Sequence, residues 1–167
     1  MIQTRTKIHE LFKDRNIQIG AELGVANGWY SSYLNRHHKF KEFYCIDKWN
    51  DHHDDKERLN VIETFKNQDN VKILHMEFQE AINLFPDEYF DFIYIDGYAH
   101  TGQNDGLTLR QWYPKLKSGG TFSGHDYTDM PPSIEVKRAV DEFASKHNLD
   151  IQKTVKGKFP SWFTTKP

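Results

Sequence analysis

Five short apolar runs alternate with five helical patterns along this chain, and that alternation constrains its fold more than any other feature. The runs are "IQIGAEL" (17–23), "EFYCID" (42–47), "NVKILHM" (70–76), "YFDFIYIDG" (89–97) and "SGGTFSGHDY" (118–127). Helical patterns follow them at 28–38, 56–68, 78–86, 106–116 and 133–148. Strands alternating with helices build βαβ units, and these build a mostly parallel sheet with right-handed crossovers. Two last runs, 149–157 and 159–166, read as an antiparallel hairpin linked through "KGK". The expected fold is therefore α/β: a doubly wound, mostly parallel seven-stranded sheet. Helices cover both faces and a hairpin closes the C-terminus, in one domain spanning 1–167.

Two helix details follow from spacing. Ile8, Leu11 and Phe12 predict an amphipathic opening helix over 4–15. Ser133 is the expected N-cap of the helix over 133–148.

Composition narrows the function classes. A chain of 167 residues, 37% hydrophobic and 28% charged, is long enough for one core and too apolar for a disordered segment. A net charge of −2 gives no bulk attraction to nucleic acid or an anionic membrane. The single cysteine, Cys45, lies in the apolar run "FYCI" and reads as a small buried hydrophobe. A reducing, cytoplasmic setting fits that usage. The opening "MIQTRTKIHELFKDR" is too polar for a signal peptide, and no apolar run reaches membrane-spanning length.

Sheets of this kind bind ligands at the carboxyl ends of their strands, near the switch in strand order. Glu22, Asp47, Asp96 and Asp126 stand at such ends. The turn after the first run, "AELGVANGW", is rich in small residues. A dinucleotide fingerprint, G-x-G-x-x-G, aligned on Gly24 would put Ala26 at its second glycine and Trp29 at its third, where close helix–strand packing disfavours a large side chain. No G-K-[ST] follows, so a phosphate-binding P-loop is excluded. What remains is E-x-G-x-A-x-G: Glu22, Gly24, Ala26 and Gly28. Small residues there let a ligand approach the backbone, and an acid beside them favours a ligand with a cationic end. Asp47, 19 residues after Gly28, stands where an acid would accept hydrogen bonds from a ribose diol.

The E-x-G-x-A-x-G pattern resembles the first motif of class I S-adenosylmethionine-dependent methyltransferases. The segment 90–127 is similar to the macrocin O-methyltransferase-like branch, whose members act on small molecules and sugars. The matching pieces are Asp96 and His100, "WYPKL" (112–116), Gly119–Gly120, and His125–Asp126–Tyr127. "IDKW" (46–49), "EVKRAVDEF" and "PSW" match as well, so the likeness spans nearly the whole chain.

The resemblance implies a Rossmann-like methyltransferase fold and S-adenosyl-L-methionine as cofactor. It would lie against Glu22, Gly24, Ala26, Gly28, Asp47, Lys48, Trp49, Glu77, Phe78 and Asp96. Trp49 would flank adenine, and Met76–Glu77–Phe78 would meet its edge. Metal-dependent relatives hold vicinal substrate oxygens on a cation. Asp96, His125 and Asp126 would ligate Mg²⁺, although an imidazole shifts preference towards transition metals. Two departures stand out: His100 follows Asp96 by four residues where the family spacing is three, and His125 replaces an acid. Neighbouring residues on a strand face opposite ways, so His125 and Asp126 can share a site only if the strand has already ended.

His100 is the first candidate for the base that removes a hydroxyl proton, and His125 the second. "DHHDD" (51–55) lacks H-x-x-x-H spacing and reads as acids at a helix N-terminus. The expected activity is methyl transfer to an oxygen of a small molecule or sugar, with loops 97–106 and 127–133 choosing the acceptor. A second copy of the chain is kept open as a partner. The rivals are a protein that binds the cofactor without transferring the methyl group or consumes it by another reaction, and a nucleotide-dependent oxidoreductase, which Trp29 opposes.

Overall fold

The computed structural model describes residues 1–167. Seven strands form one sheet: β1 (Ile19–Leu23), β2 (Glu42–Asp47), β3 (Val71–His75), β4 (Phe90–Ile95), β5 (Leu116–Gly124), β6 (Gln152–Lys153) and β7 (Trp162–Thr165). Their order is β3-β2-β1-β4-β5-β7-β6. The pairs from β3 through β5 are parallel, while β7 runs antiparallel to both β5 and β6. Strand order reverses between β1 and β4, which opens a crevice at their carboxyl ends.

Strand alternation divides the core in two. Ala21, Leu23, Ile93 and Ile95 pack on one face, under α5 (Leu107–Trp112) and α6 (Val136–His147). Phe43, Cys45, Phe92 and Tyr94 pack on the other, with Tyr30 and Leu34 of α1 (Trp29–His37) and Val61 and Phe65 of α2 (Asp55–Phe65). Strands buried on both sides need apolar residues at nearly every position, and all six positions of β4 are buried. Cys45 is fully buried and burial pushes its thiol up, in keeping with a hydrophobe's role. No helix is long and apolar enough to cross a membrane.

Several boundaries differ from the sequence expectation. The opening helix is a 3-10 helix over Arg5–Phe12, which buries Ile8 and Phe12 and stops before Asp14, at φ 61°. The helix expected over 78–86 is α3 (Phe78–Ala81) followed by a 3-10 turn, Ile82–Leu84. A short segment, α4 (Gly102–Asp105), contains left-handed Gln103 and Asn104 and precedes α5. The hairpin's first strand shrinks to two residues: Thr154 and Ser161 continue its register, and beyond them Val155 and Lys156 donate to the Ile2 and Gln3 carbonyls.

Ser133 is not the cap of α6, which begins at Val136. The Asp129 carboxylate accepts from the Arg138 N–H at 3.0 Å and meets one of the helix's open donors from the preceding loop. At α2 the acids behave as expected, with Asp54 as N-cap accepting from the N–H groups of Lys56 and Glu57.

Candidate active site

A cavity of about 660 Å³ opens at the carboxyl ends of β1, β2, β4 and β5, within the range of small-ligand sites. Its first wall is the turn between β1 and α1. Gly24 has φ 89°, and a Cβ there would stand 2.5 Å from the backbone nitrogen of Gly97. The turns after β1 and β4 therefore touch backbone to backbone, which only glycine allows. Ala26 also takes positive φ, 49°.

Asp47, at the end of β2, holds this turn in place. Its Oδ2 accepts from the N–H groups of Val25 (2.7 Å) and Ala26 (2.9 Å), and its Oδ1 accepts from Trp49 N–H (3.0 Å). It still borders the cavity. Three of the roughly four lone-pair positions of a carboxylate are thus occupied, leaving capacity for one outside donor.

Trp49 stands elsewhere than the sequence reading puts it. It is buried in the core, outside the cavity wall, and its Nε1–H donates to the Ala26 carbonyl at 2.8 Å. Gly28 is also outside the wall. It precedes α1, and a Cβ there would lie 2.9 Å from Val61 Cγ2. Trp29 needs no small replacement, because its side chain points to the cavity mouth and is 50% exposed.

Glu22 borders the cavity from β1 but is only 1% exposed. The Ser31 hydroxyl donates to it. Burial pushes its carboxyl well above its ordinary value, with Ser31 opposing. That burial favours the protonated acid.

The far wall carries Lys48, Glu77, Phe78 and Tyr98. The Tyr98 hydroxyl donates to Glu77 at 2.8 Å, and the Lys48 ammonium lies 3.5 Å from both Glu77 and Asp51. Phe78 packs edge-on against Tyr98 and covers Gly97, where a Cβ would lie 2.6 Å from its ring. His52 and His53 border the mouth beside Asp51, so "DHHDD" touches the cavity as well as capping α2.

Asp96, His125 and Asp126 come together at the floor, with donor atoms within 4.8 Å of one another. β5 ends at Gly124 and Asp126 has φ 55°, so the rule of opposite faces no longer separates the last two. His125 Nδ1 lies 2.6 Å from Asp126 Oδ1 and 3.4 Å from Asp96 Oδ1. Nδ1 thus faces the two carboxylates, while Nε2 makes no hydrogen bond within the protein. Burial pushes the Asp96 carboxyl above its ordinary value, against the pull of His125 and Arg5. His100 lines the cavity on an exposed turn, and its ring makes no hydrogen bond within the protein.

Sequence reasoning missed Arg5. Its Nη1 lies 3.0 Å from Asp96 Oδ2, across 91 positions of sequence. Nothing in its polar surroundings signals that contact. Gly97 was missed too, although a glycine directly after a strand-end acid is a legible sign.

Comparison with known proteins places this geometry. A family model described as a methyltransferase domain matches residues 17–127. The chain belongs to this methyltransferase-domain family. No curated protein sequence matches it. The methyltransferase superposes on a SAM-dependent methyltransferase from Aquifex aeolicus (TM-score 0.74, 16% identity, 99% of this chain and 91% of that one). It is also similar to a Staphylococcus aureus protein provisionally assigned as a caffeoyl-CoA O-methyltransferase (0.76, 14%, 96% and 82%). A third match is a Streptococcus mutans protein, provisionally assigned as a methyltransferase and solved with S-adenosylhomocysteine (0.72, 15%, 100% of both chains). At these identities the likeness is one of fold.

Proposed function

We propose that this methyltransferase binds S-adenosylmethionine in the cavity and methylates an oxygen of a small molecule or sugar. The observation that carries the reading is the β1 turn, pinned by Asp47 and closed on Gly97 at the sheet's switch point. The residues fit the group. The Gly24–Asn27 turn offers close backbone approach, Asp47 keeps one acceptor position for a ribose hydroxyl, and Met76, Glu77 and Phe78 supply a half-apolar wall for a base. When bound, the cofactor supplies an electrophilic methyl group.

The chain's own work is positioning and proton transfer. His125 is the better base, since the Asp126 carboxylate stands 2.6 Å from Nδ1 and Nε2 is free to take the acceptor's hydroxyl proton. His100 lacks such a partner and is assigned to the acceptor loop. Orientation of the acceptor oxygen accounts for most of the rate.

A divalent ion fits the floor poorly as folded. Asp96 Oδ2 already meets Arg5 Nη1, and His125 Nδ1 already lies 2.6 Å from Asp126 Oδ1.

Calorimetric titration with S-adenosylmethionine and S-adenosylhomocysteine tests the reading. Binding of both, weakened in Asp47→Ala, is expected. Absence of binding by either overturns it.

A further inference from the structure

The floor of the cavity contains a cation built from the chain itself. Arg5 opens the 3-10 helix Arg5–Phe12, and Ile8 and Phe12 anchor that helix in the core. The Tyr30 hydroxyl donates to the Arg5 carbonyl at 2.9 Å, fixing the backbone. The guanidinium carbon lies 5.1 Å from the Trp29 ring and 5.0 Å from the Tyr30 ring, a cation–π seat. From there Nη1 meets Asp96. On the other side of Asp96 stand His125 and then Asp126.

Arg5, Asp96, His125 and Asp126 form one chain of alternating charge or polarity. The last three are also the side chains whose donor atoms could hold a divalent ion. A metal there would have to share the Asp96 carboxylate with Arg5 and break the contact between His125 Nδ1 and Asp126 or take their other donor atoms. It would then sit beside an undisplaced guanidinium in a partly buried site, where like charges repel strongly.

We propose that Arg5 takes the place of a divalent cation in the acceptor site. Its guanidinium neutralises Asp96. Its remaining N–H groups face the acceptor oxygen, which gains negative charge as its proton passes to His125. A guanidinium presents several fixed donors and does not lose its charge at physiological pH, which suits it to that task. The acceptor class is then a hydroxyl compound whose oxygen is recognised by hydrogen bonding and not by chelation. This rests on reading the cavity as an O-methyltransfer site.

Mn²⁺ titration followed by electron paramagnetic resonance tests the proposal on the full chain, with no acceptor needed. The wild type is expected to show no saturable site below about 1 mM, while Arg5→Gln gains one at least about tenfold tighter. Arg5→Lys, which keeps the charge, should resemble the wild type. Adding Asp126→Asn to Arg5→Gln should remove the site. Should Arg5→Gln fail to fold, Arg5→Met serves the same comparison. Stoichiometric Mn²⁺ binding by the wild type overturns the proposal, as does an Arg5 variant that binds no more tightly than the wild type. Calorimetry with S-adenosylhomocysteine on the same preparations separates the two readings. Retained binding with a failed Mn²⁺ result sinks the Arg5 assignment alone, and lost binding in the wild type sinks the function.

Discussion

Gly24 and Gly97 meet backbone to backbone, so the turns after β1 and β4 close on each other with no room for a side chain. A Cβ on Gly24 would lie 2.5 Å from the Gly97 nitrogen and 2.8 Å from its Cα. Gly24 also has φ 89°, a conformation costly for any other residue. Gly24→Ala is therefore expected to cost on the order of 3 kcal/mol, from strain and overlap together. Urea unfolding should show a lower midpoint with an unchanged slope. S-adenosylhomocysteine affinity should fall with it, because the displaced turn forms the cavity wall.

Asp47 acts mainly on the turn. Asp47→Asn replaces an ionised acceptor with a neutral one and turns an amide donor towards N–H groups. Charge-assisted bonds to backbone donors contribute about 1.5–3 kcal/mol each, and leaving such donors unmet costs a comparable amount. The variant should lose stability and cofactor affinity, as the charge assistance is lost and an amide donor must face at least one of the three backbone N–H groups. Thermal unfolding with and without S-adenosylhomocysteine checks both. An unchanged ligand-induced shift would contradict the bracing role.

The upward shift of the Glu22 carboxyl has a pH signature. Its folded-state carboxyl titrates well above its ordinary value of 4.5, chiefly through burial. The folded state then binds more protons than the unfolded one as pH rises past that value, so stability falls with rising pH. Glu22→Gln removes this titration and can keep a bond to Ser31. It should be more stable than the wild type at pH 8 and close to it at pH 4, as melting curves at the two values would record. Its cofactor affinity should stay within about threefold, whereas a charge-based role would lose more.

His125 and His100 should separate kinetically once an acceptor is found in a panel of hydroxyl compounds. Removing a general base costs about 10²–10⁴-fold. His125→Ala should lose that much in kcat while keeping S-adenosylhomocysteine affinity. His100→Ala should chiefly raise KM. The opposite split would return His100 to first place.

Asp126→Asn gives a finer check on the pair. It keeps the side chain's size but weakens its hold on His125 Nδ1. The alkaline and acid limbs of the rate profile should move while KM changes little. A purely structural role would lower the melting temperature and leave the profile's shape alone.

Much of the fold was legible because its signals are local. "FDFIYI" is apolar at nearly every position because β4 is covered on both faces, and "EFYCID" reads alike for β2. Strand-end acids were legible for the same reason, since a break from an apolar run to an acid marks the carboxyl edge of the sheet, where the cavity opens. Boundaries set by distant partners were not. Ser133 looked like a cap by composition, yet Asp129 reaches α6 from the preceding loop. Trp49 followed a site residue in sequence, yet its ring is buried and bonds the Ala26 carbonyl from behind the turn.

By itself the sequence determined the order of strands and helices, the covered sheet and the acids at its carboxyl edge, because periodicity and polarity act over a few residues. Tertiary structure decided what those acids do. It buried Glu22 and pushed its carboxyl up, set Asp47 to brace the turn after β1, and brought Arg5 onto Asp96 across 91 positions. Such pairings depend on desolvation and on contacts between distant segments, neither of which exists until the chain has folded.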